Sequence, residues 1–187
     1  VFASGYGEVG PEGRERQREL VEAADRLGIA VMGPNCAGFA NFVDGIFAFA
    51  FLVEERERGG NIGMISQSGQ IVLGGLDSPN MGFSHVISSG NSCNVKVEDY
   101  LDFLVDDEDT KVVAAYMEGV TKPEKLVAAF QKAALKKKPV VVLKTGRSAK
   151  SQELAKSHTG SLSGADKVLR AVFKRYGVVE AGDLEEL

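Results

Sequence analysis

The segment best suited to chemistry is Ser157-His158-Thr159-Gly160-Ser161, where small neighbours leave the imidazole of His158 accessible. It lies in a stretch from Gly146 to Leu162 that also carries Arg147, Lys150 and Lys156. A neutral imidazole is a nucleophile toward phosphorus, and nearby cations steady phosphoryl oxygens. A connection of about 17 residues is long against the usual ~4–6, and a long loop suits a group that moves between two sites. Composition alone equally allows a surface loop with an incidental histidine. Glu118 ends an apolar strand pattern and is the natural carboxylate to hold one ring nitrogen of His158, leaving the other free to attack. A surface ion pair is the alternative.

Ser66-Gln67-Ser68-Gly69 stands between a strand pattern and a helix pattern. Its amides would point outward at a helix N-terminus, an anion site with hydroxyls as extra donors. The plainer reading is a turn with serine as N-cap. Ser66 replaces the first glycine of Gly-x-Ser-x-Gly, so this is not a nucleophile elbow, and no Ser/His/Asp set surrounds one. His85, inside Phe83–Ile87, reads as a strand side chain. Cys36 follows a Gly-Pro-Asn turn and reads as a small buried residue.

These groups need a scaffold that gathers distant segments at one edge. Strand patterns fall at Ile62–Ile65, Phe83–Ile87, Val112–Tyr116, Val140–Leu143 and Val178–Glu180. Helix patterns lie between them, near 69–77, 97–105, 122–135 and 164–176. Thr121 with Glu124 predicts a capping box for the third helix, and Pro123 suits its first turn. Ser163 with Asp166 has the same spacing before the fourth, and Gly177 can end it. Such alternation predicts a flavodoxin-like, doubly wound parallel sheet, an α/β fold. Ligands of such sheets bind beyond the strand C-termini. There stand Ser66–Gly69, Ser88-Ser89-Gly90-Asn91, Glu118-Gly119 and Lys144-Thr145-Gly146-Arg147. The acidic run Asp106–Asp109 and Lys136–Lys138 fall at the opposite edge and read as solvated surface.

Upstream, Arg14 to Leu27 places Leu20, Ala23, Ala24 and Leu27 on one helical stripe, Gly28 ends the helix, and Ile29–Met32 reads as a short strand. Phe42–Val53 is apolar with little periodicity, and Glu54–Gly60 is a charged connector. The division expected is 1–45, a linker at 46–60, and a second domain at 61–187 with the histidine loop at 146–162. The opening residues suggest a piece of a longer polypeptide.

Composition narrows the partners. The chain has 187 residues, 44 % hydrophobic and 26 % charged, which fits a globular protein with a real core and excludes disorder. Its formal charge of −4 argues against a nucleic-acid partner. Cys36 and Cys93 are far apart with no Cys-x-x-Cys, so neither a metal site nor a disulfide framework is expected, and a reduced, cytoplasmic compartment is. No apolar run approaches the ~20 residues of a membrane helix.

Six motifs then occur in order: Gly33-Pro34-Asn35-Cys36, Ser66-Gln67-Ser68-Gly69, Gly82-Phe83-Ser84, Gly90-Asn91, Tyr116-Met117-Glu118-Gly119 and Ser157-His158-Thr159-Gly160. Together they resemble the NDP-forming acyl-CoA synthetases, the superfamily of succinyl-CoA synthetase and ADP-forming acetyl-CoA synthetase. The resemblance implies that acyl-CoA, ADP and phosphate give the free acid, coenzyme A and ATP, through an acyl phosphate and a phosphohistidine on His158 oriented by Glu118. It implies that Ser66–Gly69 holds the phosphoryl group, that Gly90 and Asn91 floor the acyl group, and that Asn35 and Cys36 lie near the coenzyme A thiol. Residues 1–45 would then be the end of a Rossmann-type CoA-binding domain. The ADP or ATP with Mg2+ would be held mainly by an ATP-grasp β-type domain or subunit, and the assembly would be an oligomer. Two departures bear on the acyl group: Asp77-Ser78-Pro79-Asn80 breaks a helix early, and Asn94 stands where an aspartate is common. The competing class is a non-catalytic CoA- or acyl-CoA-sensing module of a protein acetyltransferase, a role that typically lacks the histidine.

Overall fold

The computed structural model describes residues 1–51, 59–145 and 165–187. The expected histidine loop, with Arg147, Lys150, Lys156, His158 and Thr159, and the Ser163 cap lie outside the described residues. After a 3-10 turn at Gly7–Val9 come helix α1, Pro11–Leu27, and strands β1, Gly38–Asn41, and β2, Ile46–Phe49. Next follow β3, Gly59–Ser66, α2, Gly69–Leu76, β4, Phe83–Ser88, and α3, Val97–Asp106. The chain ends with β5, Val112–Met117, α4, Pro123–Lys136, β6, Val140–Lys144, α5, Ala165–Tyr176, and β7, Val179–Glu180.

All seven strands among the described residues join one sheet in the order β2-β1-β4-β3-β5-β6-β7. The five from β4 to β7 run parallel, and their spatial sequence is the 2-1-3-4-5 of a flavodoxin-like sheet. The sheet is mixed, however, because β1 pairs antiparallel with both β2 and β4. Ile46–Phe49, expected within a linker, is therefore a strand of the same sheet. Its residues lack an alternating pattern because β2 is an edge strand, exposed at Ile46 and Phe47.

The period of two in the strands divides the core between two faces. Ile65 and Ile87 point to the larger cluster, where Leu101 and Leu104 of α3, Leu126 and Phe130 of α4 and Phe173 of α5 pack. Met64 and Val86 point the other way, to Val72 of α2 and Ala40 of β1. Phe130 meets Phe173 edge to face at 5.5 Å between centroids, an aromatic pair worth about 1 kcal/mol beyond its burial. Helix α2 thus covers one face, while α3, α4 and α5 cover the other.

Three local expectations are corrected. Ile29–Met32 is not a strand: the Val31 N–H donates to Asn94 Oδ1 at 3.0 Å, and its carbonyl accepts from the Val95 N–H at 3.3 Å. Loop partners thus take the bonds a neighbouring strand would have taken. Of the α1 stripe only Ala24 is buried, and Leu27 is 64 % exposed. Thr121 does not cap α4. Lys122 occupies the cap position without a side-chain bond, while Pro123 does stand in the first turn. The expected surface runs at the far edge are also partly interlocked. Asp106 binds Lys132 and Lys136 at 2.7 and 2.6 Å, and Lys138 Nζ donates to the carbonyls of Leu104 and Asp107 at the end of α3.

Candidate functional site

The loops leaving β3 and β5 depart from adjacent strands toward opposite faces, which opens a crevice at the strand C-termini. Ser66 and Glu118 lie at its two sides. Ser66 is fully buried, and its hydroxyl braces its own turn, donating to the Ser68 carbonyl at 2.7 Å and accepting from the Ser68 N–H at 3.0 Å. Ser68, in extended conformation, is the N-cap of α2 and makes no side-chain cap bond. The first amides of α2 consequently face the crevice without a side-chain cap, the condition that favours an anion. Gly69 leaves that approach open: a Cβ there would meet nothing closer than Ala37 Cβ at 3.6 Å.

Gln67 joins the two walls. Its N–H donates to the Tyr116 carbonyl at 3.2 Å, and its Oε1 accepts from the N–H groups of Glu118 and Gly119 at 2.6 and 3.0 Å. The Gln67 side-chain oxygen thus holds the Glu118 turn. Lys144 Nζ donates to the Glu118 carbonyl at 2.7 Å from the end of β6. The Glu118 carboxylate is half-buried and makes no hydrogen bond among the described residues.

A second group forms beside it. Gly90 has φ 56, and the Gly33–Cys36 turn lies directly against it. The Asn91 N–H donates to the Pro34 carbonyl and the Cys93 N–H to the Gly33 carbonyl, both at 2.9 Å. Asn35 Nδ2 donates to Asn91 Oδ1 at 3.3 Å. Asn35, Gly90 and Asn91, widely spaced in sequence, therefore meet, while Cys36, next to Asn35, is buried and its thiol donates to the Val1 carbonyl at 3.5 Å. The Asn91 amide itself donates to Glu8 and to Gln17 Oε1. Glu8 also accepts from the N–H groups of Gly5 and Tyr6, and these bonds hold its carboxyl below the usual range against the opposing effect of burial. Burial pushes the Tyr100 hydroxyl far above its usual range, with Cys36 and Cys93 adding to the effect, and burial raises the Cys93 thiol as well. Both cysteines are free thiols.

Glu8, Gln17, the bracing role of Gln67 and that of Glu98, whose Oε1 accepts from the N–H groups of Thr121 and Lys122, were not anticipated. Glu98 had a visible signal: it shares the buried helical stripe of Leu101 and Val105, where a charged residue is out of place. His85 lies toward the opposite end of the sheet, buried, with Nδ1 3.4 Å from Asp107 Oδ2 and its ring edge-on to Phe103. It is a strand side chain. No group of three potential metal-ligating side chains occurs among the described residues, and no helix among them is long and apolar enough to cross a membrane.

A 2-1-3-4-5 sheet with an uncapped helix start and a carboxylate at its switch point defines a flavodoxin-like α/β domain. The chain belongs to the succinyl-CoA ligase-like flavodoxin domain family, which matches residues 59–187. Over its whole length it is 40 % identical to acetate–CoA ligase [ADP-forming] I of Archaeoglobus fulgidus, of which it spans 27 %. It is 36 % identical to the alpha subunit of acetate–CoA ligase [ADP-forming] II of Pyrococcus furiosus, spanning 41 % of that subunit. The dinucleotide-forming acetyl-coenzyme A synthetase 1 of Ca. Korarchaeum cryptofilum, solved with phosphate and ADP, superposes with a TM-score of 0.89 at 32 % identity. That match covers 99 % of this chain and 40 % of the other.

Proposed function

We propose that this chain is the α-type portion of an ADP-forming acid–CoA ligase, with His158 as its phosphoryl carrier. The observation that carries the reading is the crevice itself: Glu118, held by Gln67, stands opposite the uncapped amides of α2. Phosphate attacks the thioester carbonyl, the C–S bond breaks, and coenzyme A leaves as the acyl phosphate forms. The His158 ring nitrogen then attacks phosphorus, and the carboxylate of the acid departs with the electrons of the P–O bond. Glu118 accepts a hydrogen bond from the other ring nitrogen, which fixes the tautomer and stabilises the charge developing on the imidazole. The α2 amides hold the phosphoryl oxygens.

Asn35, Cys36, Gly90 and Asn91 line the acyl and thiol side, and the tie from Asn91 to Glu8 and Gln17 keeps that floor rigid. Phosphohistidine passes its phosphoryl group to ADP on an ATP-grasp domain or partner subunit, within a cytoplasmic oligomer. Magnesium would come with the nucleotide there, screening its phosphate charge. The described carboxylates of this chain form no cluster to hold the ion, and none of the steps above uses it.

The test is incubation of the full-length enzyme, with its ATP-grasp part, with labelled ATP and magnesium. An acid-labile, base-stable label that His158→Ala abolishes supports the ligase. Tight coenzyme A binding without any label rejects it in favour of a sensing module.

A further inference from the structure

The turn that carries Glu118 is held from two directions. On one side Gln67 Oε1 takes the N–H groups of Glu118 and Gly119. On the other, Glu98 Oε1 takes those of Thr121 and Lys122, at 2.7 and 3.0 Å. Four of the five amides from 118 to 122 are thus bound to side-chain oxygens contributed by other loops and helices. Glu98 comes from the start of α3, is 0 % exposed, and has an Oε2 with no hydrogen-bond partner. Burying a carboxylate is costly, and an apolar side chain would fill the same space at less expense to the fold. Such a side chain would leave two amides without an acceptor at the entry to α4, and the turn would be free to shift.

We propose that Glu98 is a positioning residue for the phosphoryl-transfer step, acting through the 118–122 turn to set the Glu118 carboxylate against the incoming imidazole. The proposal rests on the reading that Glu118 orients His158. Misplacing a catalytic group by about 1 Å costs up to about 10²-fold in rate, and that is the scale expected here.

The experiment is single-turnover phosphorylation of His158 in the full-length enzyme with its ATP-grasp part. Glu98→Ala should slow labelling by about 10²-fold while leaving the KM for coenzyme A within about twofold. Glu98→Gln keeps an oxygen for the two amides and should restore the rate to within about threefold of wild type. Glu98→Asp withdraws the oxygen by one methylene, should be as slow as alanine, and carries the test if the alanine variant does not fold. In a Glu118→Gln background, Glu98→Ala should add less than about twofold, because the two act in series. A full additional slowing in that background, a Glu98→Gln variant as slow as alanine, or wild-type rates in both Glu98→Ala and Glu98→Asp would overturn the proposal. Wild-type labelling in Glu118→Gln alone would instead remove the reading beneath it.

Discussion

Gly90→Ala should be far more damaging than Gly69→Ala, although both glycines border the crevice. At Gly90 the backbone has φ 56, a region in which an L residue loses roughly 1–2 kcal/mol. A Cβ there would also lie 2.4 Å from the Pro34 carbonyl oxygen and 2.5 Å from that of Asn35, both rigid backbone atoms. The two turns must separate, weakening the Asn91 to Pro34 and Cys93 to Gly33 bonds, each worth about 1 kcal/mol. The total is about 3 kcal/mol, which lowers the melting temperature of a chain this size by roughly 6–12 °C.

At Gly69 a methyl meets only ordinary contacts at 3.6 and 3.8 Å, and alanine in place of glycine favours a helix by up to ~1 kcal/mol. That variant should melt at or above the wild-type temperature. If the α2 amides hold phosphate, it should nevertheless raise the KM for phosphate several-fold. Thermal unfolding followed by circular dichroism on the intact protein reads both variants. A Gly90→Ala protein that melts within 1–2 °C of wild type, on the same scale, would refute the close-approach reasoning.

Glu118→Gln should slow His158 phosphorylation by about 10²- to 10⁴-fold with a melting temperature close to wild type, read by rapid-quench labelling. His85→Gln should leave the phosphorylation rate within about twofold, because His85 lies away from the crevice; a loss approaching that of Glu118→Gln would contradict its assignment. Asp106 is held down to about 2 by its bonds to Lys132 and Lys136. A carboxyl depressed in the folded state contributes stability above its unfolded value, and that contribution disappears as pH falls through the folded one. The melting advantage of wild type over Asp106→Asn should therefore be present near neutrality, shrink below about pH 4, and be gone near pH 2.

The parallel core was legible because each βα unit carries its own local signals. The runs at 83–87, 112–116 and 140–143 become strands that extend only one residue further, and Pro123 and Gly177 stand at helix ends where their backbone preferences put them. What local pattern could not supply was partnership. Ile29–Met32 has a strand's composition, but its hydrogen bonds go to Val1, Ala24, Asn94 and Val95. Phe42–Val53 lacked periodicity because β2 lies at an edge, where neither face is fully covered. Thr121 and Glu124 have the spacing of a capping box, yet Glu98, distant in sequence, takes the Thr121 N–H that Glu124 would have accepted in such a box.

The same distinction holds at the site. Glycine-bearing turns at strand ends marked the edge where the crevice lies, and the structure brings Asn35 to Asn91 and Gln67 to Glu118 across spans of 56 and 51 residues. That Gln67 binds the Glu118 turn rather than standing free is a matter of tertiary register between β3 and β5, which no spacing encodes. Glu8 and Gln17 enter only because α1 and the turn before it fold back on Asn91.

The most direct test dispenses with nucleotide altogether. Full-length enzyme is mixed with acyl-CoA and labelled inorganic phosphate in the absence of ADP, quenched in alkali, and digested to locate the label. The account predicts radioactivity on the peptide containing His158, dependent on acyl-CoA and slowed by Glu118→Gln. Label on any other residue, or none while coenzyme A is still released, would contradict it.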